Sequence, residues 1–346
     1  MVCTHNDGSY WNKLIALGIT PHDLVLRKLS LSTLFKLLNI LRKEKPDLIH
    51  THGKGPGLYG RLLGWMLGIP VVHTFHGFQH KLLPVVQRWF YLFVENVLTL
   101  LTRHHIFVGN GEKNKAKVLM FLNDSNSSVV NNGIDLDSIQ ALPPAEEVLA
   151  SLKLGPRESI KIFGTLSRVS PEKGLDILLE GFVEAAKRAP YIRLLVIGDC
   201  PGEHEKYIKM ITQYIHENGL DDAVKILGAR EDALEILKSI DFYISPSRSE
   251  GLPYNLLEAL AVGKPVMATD IPGNNDIIRK SVEGILVPVN SARTLAHGIL
   301  TLLELGPEER KAMRQNGKVR IRDEFSLNLM SEKTFSIYKK VLEGVS

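Results

Sequence analysis

The chain has 346 residues, 44% apolar and 23% charged, with a net charge of +4 and only two cysteines, Cys3 and Cys200. That is enough for two ordinary globular domains and argues against a disordered chain or a disulfide-stapled scaffold. No window approaches the ~20 apolar residues of a membrane span, and no basic segment followed by an apolar run opens the sequence, so a reducing cytoplasm is the expected location.

The charge is uneven. Residues 1–110 hold 12 Lys+Arg against 5 Asp+Glu, a balance of +7, which leaves 30 against 33, or −3, for the rest. Nine of the 12 histidines precede residue 106. A basic first half suits an acidic partner: a phosphorylated substrate or an anionic membrane face. Nucleic acid is disfavoured, because no aromatic-rich basic patch or zinc spacing occurs.

In chain order, an amphipathic helix at Leu31–Lys43 precedes strands at Asp47–His52, Val71–His76, His105–Val108 and Ser128–Asn131. Asn132–Pro156, with its Asn-Asn-Gly and Pro143-Pro144, reads as a boundary. A second series follows, with strands at Ile160–Leu166, Arg193–Gly198, Val224–Leu227, Asp241–Ser245 and Pro265–Ala268. Helices near 172–188, 203–218, 231–239, 254–262 and 292–304 separate them, and Ser326–Leu342 is a last amphipathic helix. Alternating strands and helices predict an α/β fold with parallel sheets, ligand binding falling at the strands' carboxyl ends.

Gly55-Pro-Gly57-Leu-Tyr-Gly60 matches the dinucleotide fingerprint G-x-G-x-x-G after a strand. The next strand ends in histidine, without the acid that would grip a ribose, so close helix–sheet packing is the preferred reading. Lys54 and Gly55 at this helix start are candidates for holding an anion or part of the acceptor.

Two acids, Glu250 and Glu258, flank a helix start at Pro253. The free amides of that start favour phosphate. Carboxylates beside phosphate make sense if they face sugar hydroxyls, as they would around a nucleoside diphosphate sugar. Taken alone, each acid is equally compatible with a solvent-facing residue. Arg168 and Lys173 follow the strand Ile160–Leu166, with Ser170 as a candidate N-cap and Pro171 in the first turn. A lysine at a helix start is unfavourable unless an anion sits there. Gly174 would let a ligand approach.

Together these residues resemble the retaining nucleotide-sugar glycosyltransferases of family 4, with the GT-B fold. The E-x7-E pair is Glu250 and Glu258, and the Arg…Lys pair is Arg168 and Lys173. IGD (Ile197–Asp199), LGAR (Leu227–Arg230), Asn132-Gly-Ile-Asp135, ALAVGKPVMATDIPGNND (Ala259–Asp276), PDLIHTHGKG and HTFHGF complete the likeness over nearly the whole chain. The resemblance implies two Rossmann-like domains facing a cleft: residues 1–135 on the acceptor side, 136–325 for the donor, and a helix at 326–346 crossing back to the first.

It also implies roles. Arg168 and Lys173 would hold the diphosphate, Glu250 the donor sugar and Glu258 the ribose. Backbone at Gly251, Leu252, Pro253 and Tyr254 would cap phosphate or sugar. Gly228 and Arg230 would frame the base, and His76 would reach the donor sugar. The donor is a substrate, a UDP-sugar favoured, and neither cofactor nor metal is expected. The reaction would be hexosyl or N-acetylhexosaminyl transfer with retention to a glycan or lipid-linked acceptor, in bacterial surface polysaccharide (lipopolysaccharide or capsule) synthesis at the inner face of the cytoplasmic membrane. The helix SLSTLFKLLNILRK (Ser30 to Lys43) is a candidate for lipid contact, although packing of its leucines on the sheet explains it equally well. His50 and His52 lack a third ligand in register. Asp135-Leu-Asp137 resembles the metal-binding D-x-D of other glycosyltransferases but reads better as a turn.

The family pattern normally begins with a strand, a Gly-rich loop and a helix, so the first domain is expected to be incomplete, with an exposed sheet edge. Two alternatives stand beside the main reading: an NAD-dependent oxidoreductase using the GPGLYG loop, and a non-catalytic nucleotide-binding remnant.

Overall fold

The structure, a computed structural model, describes residues 2–4, 10–26, 29–77 and 84–344. Phe78 of HTFHGF lies outside them. The chain divides into two units. One comprises Met1–Val108, Glu112–Val130 and Glu332–Ser346; the other comprises Gly109–Gly111 and Asn131–Ser331.

The first unit carries two parallel sheets. β1 (Val2–Thr4) pairs with β2 (Pro21–Asp23), starting at Val2 opposite Pro21. β3 (Ile49–His52), β4 (Val71–Phe75), β5 (His104–Phe107) and β6 (Ser127–Val129) form the second sheet in that order. Among the described residues, β3 stands at one end of that sheet and pairs with β4 alone. β2 was not foreseen: Pro21-His22-Asp23 has neither the β-branched content nor the alternation that marks a strand.

The helix Lys54–Leu67 shows why the glycines recur. A Cβ on Gly57 would lie 2.5 Å from the His73 ring, and one on Gly60 would lie 2.2 Å from the Thr51 methyl. The fingerprint-like pattern is thus a packing pattern: it lets the helix lie close on β3 and β4. Arg61, on the same helix, is wholly buried and reaches Glu95 at 2.9 Å, with its Nε donating to the Gly57 carbonyl. The helix Leu31–Glu44 turns its stripe inward, with Leu37 and Leu41 buried and Leu34, Leu38 and Ile40 packed beside them. Those leucines pack in the core, while Leu31 and Phe35 of the same helix stay exposed at 74% and 61%.

The helix Leu327–Glu343 returns the chain to the first unit. Tyr338 Oη lies 2.5 Å from His50 Nδ1, and Arg103 donates to the Gly344 carbonyl at 2.6 Å.

The second unit is one parallel sheet in the order β12-β11-β10-β7-β8-β9. Its strands are β7 (Lys161–Leu166), β8 (Ile192–Ile197), β9 (Val224–Gly228), β10 (Phe242–Ser245), β11 (Val266–Thr269) and β12 (Gly284–Val287). From β7 the chain winds outward through β8 and β9, then returns to place β10 on the other side of β7. The order reverses between β7 and β10, which is where an open α/β sheet gapes at its carboxyl edge. Helices Leu175–Arg188 and Ala292–Glu304 pack Leu178, Leu179, Phe182, Leu295, Ile299 and Leu302 over the sheet as the main core.

Asn132–Pro156 is not a loose boundary. It carries helices Leu136–Ala141 and Glu146–Ser151 and is tied to the second unit by the Ala145 N–H donating to Ser239 Oγ at 2.7 Å. Asp135 caps the first of these helices, accepting from the Ser138 N–H at 3.1 Å and the Ser138 hydroxyl at 2.6 Å. An Asp held as a helix cap accounts for that D-x-D likeness.

Candidate active site

Loops from β7 and β10 meet at the reversal point. After β7, Ser170 adopts an extended N-cap conformation, but it begins only a 3₁₀ turn, Pro171–Lys173. The α-helix expected from residue 172 begins at Leu175, because Gly174 intervenes in the left-handed region at φ 68°. A Cβ on Gly174 would lie 2.2 Å from the Pro246 carbonyl oxygen. Gly174 thus makes room for the β10 loop, which is its structural reason for being glycine.

This close approach brings Lys173 to Glu250. Lys173 Nζ donates to Glu250 Oε1 at 2.7 Å, and the Ser247 hydroxyl donates to the same oxygen at 2.6 Å. Both side chains are largely buried, 17% and 9% exposed. The cation at the turn is therefore not uncompensated, as the sequence had suggested, since Glu250 neutralises it. Lysine has three donors, so Glu250 occupies one and two stay available to anionic oxygens. The Thr269 hydroxyl donates to the Ser247 carbonyl at 2.5 Å and fixes the loop from behind.

The helix Tyr254–Ala261 starts immediately beyond, with Pro253 as its N-cap residue rather than its first turn. Gly251 lies in the approach, and its carbonyl closely faces Gly273. Leu252 is buried, and its carbonyl accepts from Asn132 Nδ2 at 2.7 Å. Tyr254 is 45% exposed. Asn255 donates to the Leu166 carbonyl at the end of β7 and accepts from the Leu256 N–H at 2.9 Å. The helix start is thereby pinned to the reversal point.

Glu258 lies one turn into that helix. Burial pushes its carboxyl above the ordinary glutamate range, and it has no hydrogen-bond or ion-pair partner among the described residues. The buried Tyr243, on β10, is close enough to feel both Glu250 and Glu258, although burial is the main cause of its raised hydroxyl pKa. The two acids therefore share one neighbourhood but differ in state, Glu250 being paired and Glu258 not.

Arg168, just after β7, is 55% exposed, and its closest ion-pair partner is Glu172 at 3.7 Å. Gly228 closes β9 at φ 69° with open space where a Cβ would stand. Arg230 is engaged with Asp232, its Nε and Nη2 each 2.7 Å from a carboxylate oxygen. Of the expected donor residues, Arg168, Lys173, Glu250–Tyr254 and Glu258 gather around β7 and β10, while Gly228 and Arg230 lie at the end of β9.

Two contributors escaped the sequence reading. Arg248 forks onto Asp176 with bonds of 2.8 and 2.7 Å and reaches Asn290 at 2.7 Å, and its N–H donates to the Glu172 carbonyl at 2.8 Å. It ties the two loops together. Asn255 is the other. A polar residue at a helix start is a visible signal, but its partner across the sheet is not.

In the first unit, His76 follows β4. Its Nε2 lies 2.9 Å from His52 Nδ1, and the rings stack at 5.2 Å. Burial, with His52 beside it, holds His76 down at about 4, so it is neutral at pH 7. His50, between Tyr338 and Thr74 Oγ1 (2.7 Å), is held down to about 3, first by burial and then by His52 and His76. Lys54 sits 4.6 Å over the Tyr91 ring, and Gly55 lies in the first turn of its helix. Among the described residues, no group of three or more His, Cys, Asp or Glu could hold a metal ion.

A parallel α/β sheet with cations and acids gathered at its reversal point carries the groups that the family resemblance calls for. Family comparison agrees. Residues 2–138 match the model described as Glycosyltransferase Family 4, and residues 151–320 match Glycosyl transferases group 1. The chain belongs to this glycosyltransferase family and has the GT-B type of fold.

Among curated relatives, the UDP-Gal:alpha-D-GlcNAc-diphosphoundecaprenol alpha-1,3-galactosyltransferase of Escherichia coli is 28% identical over 330 residues, spanning 90% of this chain and 77% of the relative. The alpha-monoglucosyldiacylglycerol synthase of Streptococcus pneumoniae is 28% identical, spanning 79% and 62%. Anabaena Alr3699/HepE, solved in complex with UDP, superposes with a TM-score of 0.84 at 20% identity, covering 98% of this chain and 91% of that one.

Proposed function

We propose that this enzyme transfers a hexosyl or N-acetylhexosaminyl group from a UDP-sugar to a hydroxyl of a lipid-linked glycan, with retention, in bacterial surface polysaccharide synthesis. The observation that carries the donor reading is the pairing of Lys173 with Glu250 beside an unpartnered, half-buried Glu258. Leaving a carboxylate unpaired away from water is costly, and ribose or sugar hydroxyls would supply the missing donors. Arg168 and Lys173 would balance the diphosphate as it leaves, which is how such a site can work without a divalent metal. Glu250, oriented by Lys173 and Ser247, would accept from a donor-sugar hydroxyl.

For retention, the acceptor hydroxyl attacks the face from which the nucleotide departs. The bond from the anomeric carbon to the phosphate oxygen breaks as the new glycosidic bond forms, and the leaving phosphate takes the acceptor's proton. The protein's part is positioning and charge stabilisation. Support for uridine comes from the Escherichia coli relative's named donor and the UDP complex of the Anabaena neighbour. Support for a lipid-linked acceptor comes from the diphosphoundecaprenol and diacylglycerol named in two relatives. Such acceptors would place the enzyme at the inner face of the cytoplasmic membrane, and among the described residues no helix is long and apolar enough to cross it.

The test is incubation of the protein with UDP-glucose, UDP-galactose and UDP-N-acetylglucosamine, with prenyl-diphosphate glycans as acceptors and EDTA present. One donor is expected to turn over, with proton NMR showing the donor's anomeric configuration in the product. Inverted product would overturn the retaining mechanism, and a strict metal requirement would overturn the metal-free one.

A further inference from the structure

The helix Val85–Leu100, in the first unit, is turned the wrong way round for a soluble surface. Of its eight exposed positions only Gln87 is polar, and the apolar ones include Trp89, Phe90 and Phe93 at 71%, 69% and 65% exposure. Its only acid, Glu95, is buried against Arg61. Surface helices normally show the reverse arrangement. The apolar surface continues past both sides of the helix. Trp65 and Leu100 line one pocket, and Phe121, 77% exposed, donates its N–H to Asn96 Oδ1 on the helix. A continuous apolar face of this kind needs an occupant.

Charge identifies the occupant. Residues 54–121 contain eight Lys or Arg and two acids, Glu95 and Glu112. Both acids are only 3% exposed. Lys54 and Arg103 lie at the surface of the same stretch, whereas Lys117 is paired with the exposed Asp124, just beyond it, at 2.7 Å. The face is therefore apolar and aromatic with a cationic surround and no exposed acid within that stretch. A second copy would bring positive charge against positive charge across a two-fold axis. An anionic bilayer supplies both apolar depth and negative headgroups, and Trp and Phe suit the interfacial layer.

We infer that the outward face of helix Val85–Leu100, extended by Trp65 and Phe121, is a membrane-docking surface for anionic lipid. It deepens the lipid-linked acceptor reading by naming the surface that would hold the enzyme at its substrate's membrane. The helix Leu31–Glu44 exposes only Leu31 and Phe35 of its apolar residues, fewer than Val85–Leu100 does.

The test is co-sedimentation of the full chain with phosphatidylcholine vesicles, with and without phosphatidylglycerol, for wild type and the double variant W89E/F93E. Both side chains point outward, so the variant should keep its melting temperature and UDP binding. Wild type should pellet with anionic vesicles, release at about 1 M salt, and partition on the order of tenfold or more better than the variant. Equal weak pelleting with both lipids, or pelleting unchanged by W89E/F93E, overturns the proposal. So does a wild-type dimer in sedimentation that the double substitution dissociates, because a second copy would then cover the face. Vesicle binding needs no donor, so loss of UDP binding with pelleting intact would count against the donor reading alone.

Discussion

Replacing Glu258 by glutamine should stabilise the empty protein and weaken donor binding at the same time. Burial raises the Glu258 carboxyl above the ordinary glutamate range, and the described structure offers it no partner. A carboxyl whose folded pKa is raised stabilises the fold fully below its unfolded pKa, and that contribution is lost as pH rises through the folded value. At neutral pH the ionised side chain is therefore a liability that the amide lacks. The melting temperature of E258Q should match wild type in acid, exceed it at pH 7, and separate from it across the carboxylate range. Binding should move the other way. A hydrogen bond to a charged acceptor contributes about 1.5–3 kcal/mol, so losing the charge weakens UDP by roughly tenfold to a hundredfold. Differential scanning calorimetry across pH and calorimetric titration with UDP read the two effects separately. A variant less stable than wild type at pH 7, or one that binds UDP equally well, would refute the idea that Glu258 is kept ionised for the ligand.

Other substitutions probe the scaffold. Gly174→Ala should cost at least about 1–2 kcal/mol in urea unfolding, because φ 68° is left-handed and the new Cβ would collide with the Pro246 carbonyl. Arg61→Met should cost about 3–5 kcal/mol by stranding Glu95, while Arg61→Met with Glu95→Leu should recover most of it. His50, His76 and His105 are held near 3, 4 and 3 respectively, mainly by burial. The unfolded chain therefore takes up protons that the folded one refuses between about pH 6.5 and those values, so their contribution to stability falls as pH falls through that window. A melt at pH 5 should be lower than one at pH 7.5, and His76→Gln should narrow the gap.

Much of this was legible in the sequence. The strands β3 to β11 and the helices at 175–188, 205–217, 254–261 and 292–304 follow apolar runs whose periodicity is strong, because each buries one face against a sheet. The E-x7-E pair and the Arg…Lys pair were legible because loops at strand ends carry chemistry that cores do not. The helix Pro307–Glu324 was missed for the opposite reason. It buries little more than the line Met313, Gly317 and Ile321, so charge masks its period. β12 escaped because Gly284 opens it and a single turn of apolar residues marks no class by itself. The end of the Gly174 turn could not be read either: its left-handed conformation answers to Pro246, 72 positions along the chain. The same limit hid the Lys173–Glu250 pair. Each residue was visible as a candidate ligand for something else, and only the order of strands brings them to one point. The outward apolar face of Val85–Leu100 was unreadable for a related reason, since a helix apolar on all sides gives no clue to which side is covered.

The most direct measurement is calorimetric titration of UDP in EDTA into wild type and Lys173→Ala. If Lys173 and its neighbours form the diphosphate site, wild type binds UDP without metal. Removing one charge-assisted contact then weakens binding by about tenfold or more, while the fold is retained. UDP affinity unchanged by Lys173→Ala would contradict the assignment of this site to the donor.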